Sequence, residues 1–198
     1  MTITASLVKD LRERTGVGMM ECKKALAETN GDVEKAIEVL RKQGLSRASE
    51  KSGRVAKQGV VYAYIHPGDQ LGVMLELDCE TDFVARTDEF RGLAKSLAMQ
   101  LAATGAQAVD RESVDPMLIE RERAILMEQA RTTGKPEAIL AKIVEGKIDK
   151  YYEEICLLEQ PFIRDPDRKV KDIVDQAVAK LGENIVVRRF AKFRIGEN

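Results

Sequence analysis

The sequence predicts an α+β protein: an N-terminal module of three short helices, then a small antiparallel sheet packed with helices. Three observations lead there. Apolar clusters at helical spacing occupy the first 45 residues, period-two stretches lie at 60–79 and 185–195, and helical stripes fill the interval between those stretches. Strand–helix–strand alternation does not recur, which points away from a parallel sheet. The 198 residues suffice for one domain, or for a small module attached to a larger one.

The first helix carries Leu7, Val8 and Leu11 and ends near Thr15-Gly16, and the second carries Cys22, Ala25 and Leu26 and stops at Asn30-Gly31. Asp32 caps a third, with Val33, Ala36, Ile37 and Leu40 on one face and Gly44 closing it. Helices this short are not stable alone, so residues 1–45 share one small core. Residues 46–59 (SRASEKSGRVAKQG) lose apolar periodicity, and Arg47, Lys51, Arg54 and Lys57 outweigh Glu50. They predict a basic, flexible linker. Its charge either touches RNA or an acidic partner or simply keeps the segment solvated; with no aromatic platform beside it, the second reading is favoured.

Residues 60–198 form the predicted α+β core. Val60 to His66 reads as a strand, Pro67-Gly68-Asp69-Gln70 as a turn, and Leu71 to Cys79 as a partner strand with alternate residues apolar. Thr87 caps a helix with Phe90, Leu93, Ala94, Leu97 and Leu101 on its apolar stripe. Asp115-Pro116 opens the next helix, and Pro136 starts another that ends at Gly146. Ile148 to Ile155 suggests a separate helix, and the last stops at Gly182. A third strand places Ile185, Val187, Ala191, Phe193 and Ile195 on one face, with Arg188, Lys192 and Arg194 on the other.

Composition narrows the function. Hydrophobic residues at 44% and charged residues at 33% describe a soluble globular protein. Lys+Arg 32 against Asp+Glu 33 argues against a dedicated nucleic-acid binder. The longest apolar run, Val60 to Ile65, falls far short of the roughly 20 residues that span a bilayer. No secretory core opens the chain, and Cys22, Cys79 and Cys156 read as reduced thiols, so a cytoplasmic protein is expected. With no CxxC pair and His66 as the single histidine, no metal site is expected.

Phosphate-loop, GxGxxG and GxSxG motifs are absent. A Cys79–His66 nucleophile pair is conceivable, but Cys79 falls on the apolar face of its strand, where cysteine is usually inert. Glu76, Asp78 and Glu80 share a strand face and read as solvated carboxylates. The chain is therefore not expected to be an enzyme, and no cofactor is expected. Two segments stand out. Thr15-Gly16-Val17-Gly18-Met19-Met20 delivers two flexible thioethers to a helix start, either into the core or onto a docking surface. Thr81-Asp82-Phe83-Val84-Ala85-Arg86-Thr87 links the hairpin to a capped helix. Either Phe83 folds back into the core with Asp82 capping the turn, or the loop presents an aromatic wedge and an acid to a partner. The residues alone lean to the first.

These segments resemble the elongation factor Ts family of translational guanine-nucleotide exchange factors. The resemblance is carried by LRERTGVGMMECKKAL (Leu11 to Leu26), ELDCETDFVAR (Glu76 to Arg86) and the stretch from Gly134 to Ile163, and runs from about Thr4 to Gly196. It implies binding to elongation factor Tu in its GDP form and promotion of GDP release by disturbing the Mg²⁺ and phosphate site. By resemblance, Thr81, Asp82, Phe83 and Val84 would dislocate the partner's Mg²⁺, and Arg12, Met19 and Met20 would bind the partner. The chain looks like the family's short, single-core kind, which implies a homodimer. The first 45 residues also resemble ubiquitin-associated domains. The alternative expectation is therefore a docking module without exchange activity, which leaves TDFVAR without a role.

Overall fold

Capping chemistry sets the ends of the N-terminal helices. The computed structural model describes residues 3–132, 134 and 136–197; Met1 and Thr2 of the predicted first module, Lys135 of the family-like stretch and Asn198 of the predicted core lie outside the described residues. Helix α1 (Ala5–Thr15) opens on Thr4, whose hydroxyl accepts from Leu7 N–H at 3.2 Å, and stops at Gly16 with φ 69°. Helix α2 (Met19–Glu28) is followed by Asn30 and Gly31, both at positive φ. Helix α3 (Val33–Lys51) starts at Asp32, whose carboxylate accepts from Lys35 N–H at 3.1 Å. Val8, Leu11, Cys22, Ala25, Leu26, Ala36 and Leu40 form one shared core.

The expected stop at Gly44 is corrected: α3 continues through it to Lys51, so the first residues of the expected linker are helical. A glycine inside a helix costs about 1 kcal/mol. Here the helix has to continue for Ala48 to be buried and for Arg47 to pair with Glu21, and both interactions are present. Beyond the helix, Arg54 C=O accepts from the buried Asn184 side chain at 2.7 Å. Arg47, Ala48 and Arg54 thus make definite contacts in a segment for which the composition predicted flexibility.

Strands β1 (Gln58–Ile65) and β2 (Leu71–Cys79) form the expected hairpin, closed by His66 N–H donating to Leu71 C=O at 2.8 Å. Helices α4 (Asp82–Ala85), α5 (Asp88–Ala103), α6 (Pro116–Arg131) and α7 (Glu137–Ile155) follow. The stripe Phe90, Leu93, Ala94, Leu97 and Leu101 is buried as expected. Helix α7 corrects a second expectation: Gly146 does not end it, and the two predicted helices are one of 19 residues. Leu140, Val144, Ile148 and Ile155 lie buried on both sides of that glycine and pack with Ile119, Leu126 and Ala130 of α6.

Sequence periodicity gave no sign of a short antiparallel pair, β3 (Pro161–Phe162) with β4 (Asp165–Lys169). The buried Gln100 amide supports its start, donating to Gln160 Oε1 at 3.1 Å and Pro161 C=O at 3.0 Å. Helix α8 (Val170–Leu181) and strand β5 (Val186–Arg194) complete the chain. The main sheet has the order β1-β2-β5, and Ile195 N–H donates to Gln70 C=O, setting the end of β5 against the start of β2. The architecture is α+β, with a small antiparallel sheet and helices, as expected.

The expected single apolar face of β5 is also corrected. Ile185 and Val187 are buried, but Ala191, Phe193 and Ile195 are exposed, and Phe190 and Lys192 are half-buried instead. The inward parity shifts by one residue along the strand. Lys192 accordingly donates to Thr104 C=O at 2.8 Å. Val61, Ile65, Met74, Phe193 and Ile195 all stay exposed on this sheet, and several line an open groove of about 440 Å³.

Compact packing groups the chain into two units, Met1–Gly59 with Asp78–Phe90 and Val174–Val186, and Val60–Leu77 with Arg91–Ile173 and Val187–Asn198. No helix among the described residues is long and apolar enough to cross a membrane.

Candidate functional site

The segment Thr81–Thr87 is short because two caps leave it no slack. After β2 ends at Cys79, Thr81 takes an extended conformation and its hydroxyl accepts from Val84 N–H at 3.4 Å, opening the single turn α4. Thr87 closes that turn by donating to Val84 C=O at 2.8 Å and opens α5 by accepting from Phe90 N–H at 3.2 Å. One turn of helix has an inside and an outside. Ala85 is buried, and Phe83, two residues earlier, points outward with 80% of its surface exposed.

That placement corrects the fold-back reading. Phe83 is not a core residue; the core position is taken by Phe90, fully buried seven residues later. Asp82 does not cap the turn either, since Thr81 does. Asp82 instead pairs with Arg86 at 2.9 Å, and Val84 is half-buried. The loop therefore carries an exposed aromatic beside an accessible carboxylate, on backbone fixed at both ends.

The second set of predicted site residues lies in the same compact unit. Arg12 is exposed on α1, and Met19 and Met20 begin α2 with 42% and 76% of their surfaces exposed. Of the two readings left open for the methionine pair, exposure matches a surface role and not a core one. Gly18 precedes them as the residue before the helix, with no side-chain cap.

Sequence reasoning did not find the group that holds the loop from behind. Glu183 accepts at Oε2 from Glu80 N–H at 3.1 Å and Thr81 N–H at 3.0 Å, and at Oε1 from the Thr81 hydroxyl at 2.6 Å. The contact is returned: Glu80 Oε1 accepts from Asn184 N–H at 2.7 Å. Gly182 makes this possible, because its positive φ of 76° ends α8 and turns the chain toward residues 80–81. The Gly182 stop was readable in the sequence, but nothing periodic marked the acid after it.

Cys79 Sγ donates to Thr81 C=O at 3.2 Å, and burial, reinforced by the Glu183 carboxylate, pushes its thiol up from 9.0 to about 11. The conceivable pairing with His66 is not made: the His66 ring meets the Tyr64 hydroxyl at 3.1 Å. Because the folded state holds the thiol proton more tightly, this group's contribution to stability is complete below pH 9 and is lost as pH rises towards about 11. At pH 8 the thiolate is about 100-fold scarcer in the folded chain than in the unfolded one. Alkylation of the Cys79 peptide, followed by mass spectrometry, should be slower by at least that factor without urea than with it; equal rates would rule out this burial. Among the described residues no group of three or more histidines, cysteines or acids is arranged to hold a metal ion.

Comparison with known proteins adds a family to this geometry. The family model described as Elongation factor TS matches residues 7–197. Proteins named Elongation factor Ts from Heliobacterium modesticaldum and Carboxydothermus hydrogenoformans are 57% and 56% identical over 195 residues, covering 98% of this chain and 91% and 90% of theirs. That of Caldanaerobacter subterraneus subsp. tengcongensis is 54% identical, with 98% of each chain covered.

Proposed function

Because the chain belongs to the elongation factor Ts family, which acts in translation elongation as a nucleotide exchange factor, we propose that it binds elongation factor Tu·GDP and promotes GDP release by disturbing the Mg²⁺ and phosphate site. The observation that carries this reading is Phe83: a large apolar side chain standing in solvent on a doubly capped turn, inside the TDFV stretch. Such a side chain stabilises nothing in its own fold and suits a pocket on a partner.

In this reading Phe83 enters an apolar pocket of the GTPase, while Thr81, Asp82 and Val84 bring an acid and ordered backbone towards the groups that hold the ion. Arg12, Met19 and Met20 dock the factor elsewhere on the GTPase, and thioethers adapt readily to such a contact. No covalent chemistry is required. A factor that binds the nucleotide-free state better than the GDP state weakens GDP binding, as GDP weakens its own. Residues 1–45 serve as the docking module, 46–59 as the basic connection, and 60–198 as the exchange and dimerisation core, acting in the cytoplasm. A second copy completes the factor; the exposed apolar residues Val61, Ile65, Met74, Phe193 and Ile195 support a self-complementary contact.

The test is stopped-flow release of a fluorescent GDP from elongation factor Tu with increasing amounts of this protein. Release should accelerate to a plateau about 10³-fold above the spontaneous rate, which needs only about 4 kcal/mol of barrier reduction. An unchanged release rate at saturating protein would eliminate the exchange reading.

A further inference from the structure

We propose that Glu183 is a positioning residue for nucleotide exchange: from 102 residues away it holds the Thr81 end of the turn that presents Phe83. The proposal rests on the exchange reading above. It starts from a concentration of hydrogen bonds on one side chain. One carboxylate takes two consecutive backbone N–H groups, of Glu80 and Thr81, on one oxygen and the Thr81 hydroxyl on the other. Hydrogen bonds to an ionised acceptor are the stronger kind.

The third bond does more than anchor. The Thr81 hydroxyl has one proton and two lone pairs. With the proton committed to Glu183, a lone pair is left to face Val84 N–H, which is the bond that caps α4. Glu183 thereby sets the hydroxyl rotor of the cap, and the cap sets the direction of the turn from which Phe83 projects. Glu80 and Asn184 return the contact in the opposite sense, and the Asn184 side chain extends it to Arg54 C=O. Cys79 adds a donor to the Thr81 carbonyl. Loop residues carrying an exposed wedge need this kind of fixation, since an untethered loop must be ordered when it docks.

The experiment measures GDP release from elongation factor Tu against protein concentration for Glu183→Ala, Glu183→Gln and Glu183→Asp, alone and with Phe83→Ala. Glu183→Ala should lower the plateau rate about tenfold, the scale of a single charged hydrogen bond at the low end of its range, with little change in the half-saturating concentration. Glu183→Gln keeps an oxygen for the two N–H groups, but its NH2 can only donate to the Thr81 hydroxyl oxygen and cannot take the hydroxyl proton, so it should restore part of the rate, ahead of Ala and Asp. Glu183→Asp keeps the charge but falls one methylene short, and should stay slow. The reverse order, with Asp active and Gln slow, would overturn the proposal in favour of a charge acting on the partner. Added to Phe83→Ala, Glu183→Ala should cause little further loss; multiplying effects would equally overturn it. A wild-type protein that fails to accelerate release removes the exchange reading and the positioning role together. An active wild type matched by Glu183→Ala, with Phe83→Ala slow, removes the positioning role alone. Should Glu183→Ala not fold, the Gln and Asp variants decide the matter by the same order of rates.

Discussion

Replacing Asp82 and Phe83 together by alanine is expected to reduce the plateau rate of GDP release about 30- to 1000-fold, corresponding to the 2–4 kcal/mol of a central aromatic anchor at an interface. The melting temperature should hardly move. Phe83 is 80% exposed and leaves no cavity when truncated, and Asp82 contributes a surface pair with Arg86, a kind of contact that adds little stability. The turn itself does not depend on either side chain, since Thr81 and Thr87 supply its caps. Stopped-flow kinetics and a thermal melt of the same preparation therefore separate two quantities. A double variant that still exchanges at the wild-type plateau would relocate the mechanism to Arg12, Met19 and Met20.

The second large effect has the opposite signature and involves the same residue type. Phe90→Ala should destabilise the protein by about 3–5 kcal/mol, a lowering of the melting temperature of roughly 6–20 °C. Phe90 is fully buried at the first turn of α5, immediately after the Thr87 cap. Its truncation leaves a void among side chains that cannot fully collapse. Exchange measured well below the new melting point should remain near the wild-type plateau, because Phe90 does not reach the surface. Calorimetry showing a shift of less than about 2 °C would mean that the site repacks freely, contrary to dense core packing. Two phenylalanines seven positions apart thus report on different properties: one on a partner, the other on the fold.

The pattern of agreement between sequence and structure follows from the range of the interactions involved. Thr4, Asp32, Thr81, Thr87 and Asp115 act on backbone within three residues, so helix starts are written locally. Helix ends are less so. Gly16 and Gly182 do stop helices, at positive φ, whereas Gly44 and Gly146 sit inside them. The difference of about 1 kcal/mol between glycine and alanine in a helix is small beside the burial of Ala48 or Ile148 on the far side. Burial partners of that kind come from elsewhere in the chain and have no local signature. The parity shift in β5 was hidden for the same reason: its letters favour burying Ala191, Phe193 and Ile195, and only packing partners from elsewhere in the chain turn Phe190 and Lys192 inward.

For the candidate site, the residue types were readable but their disposition was not. A phenylalanine in a loop is compatible with a core anchor or a surface wedge, and only the direction of α4 decides between them. Glu183 escaped altogether. Its role depends on a hydrogen bond to Thr81 across 102 residues, and the letter E after a helix-ending glycine says nothing about what it will meet.

That same separation bears on how the protein is made. A ribosome adding roughly 5–20 residues per second needs several seconds to travel from Thr81 to Glu183. During that time the nascent chain contains the entire TDFV stretch and the β1–β2 hairpin, yet lacks the carboxylate that holds Thr81. A product of premature termination anywhere in that interval would still react with an antibody raised against the linear loop, but would not present the clamped turn. The loop reaches its final form only after Glu183 has been added, 102 residues later, so synthesis itself delays its availability.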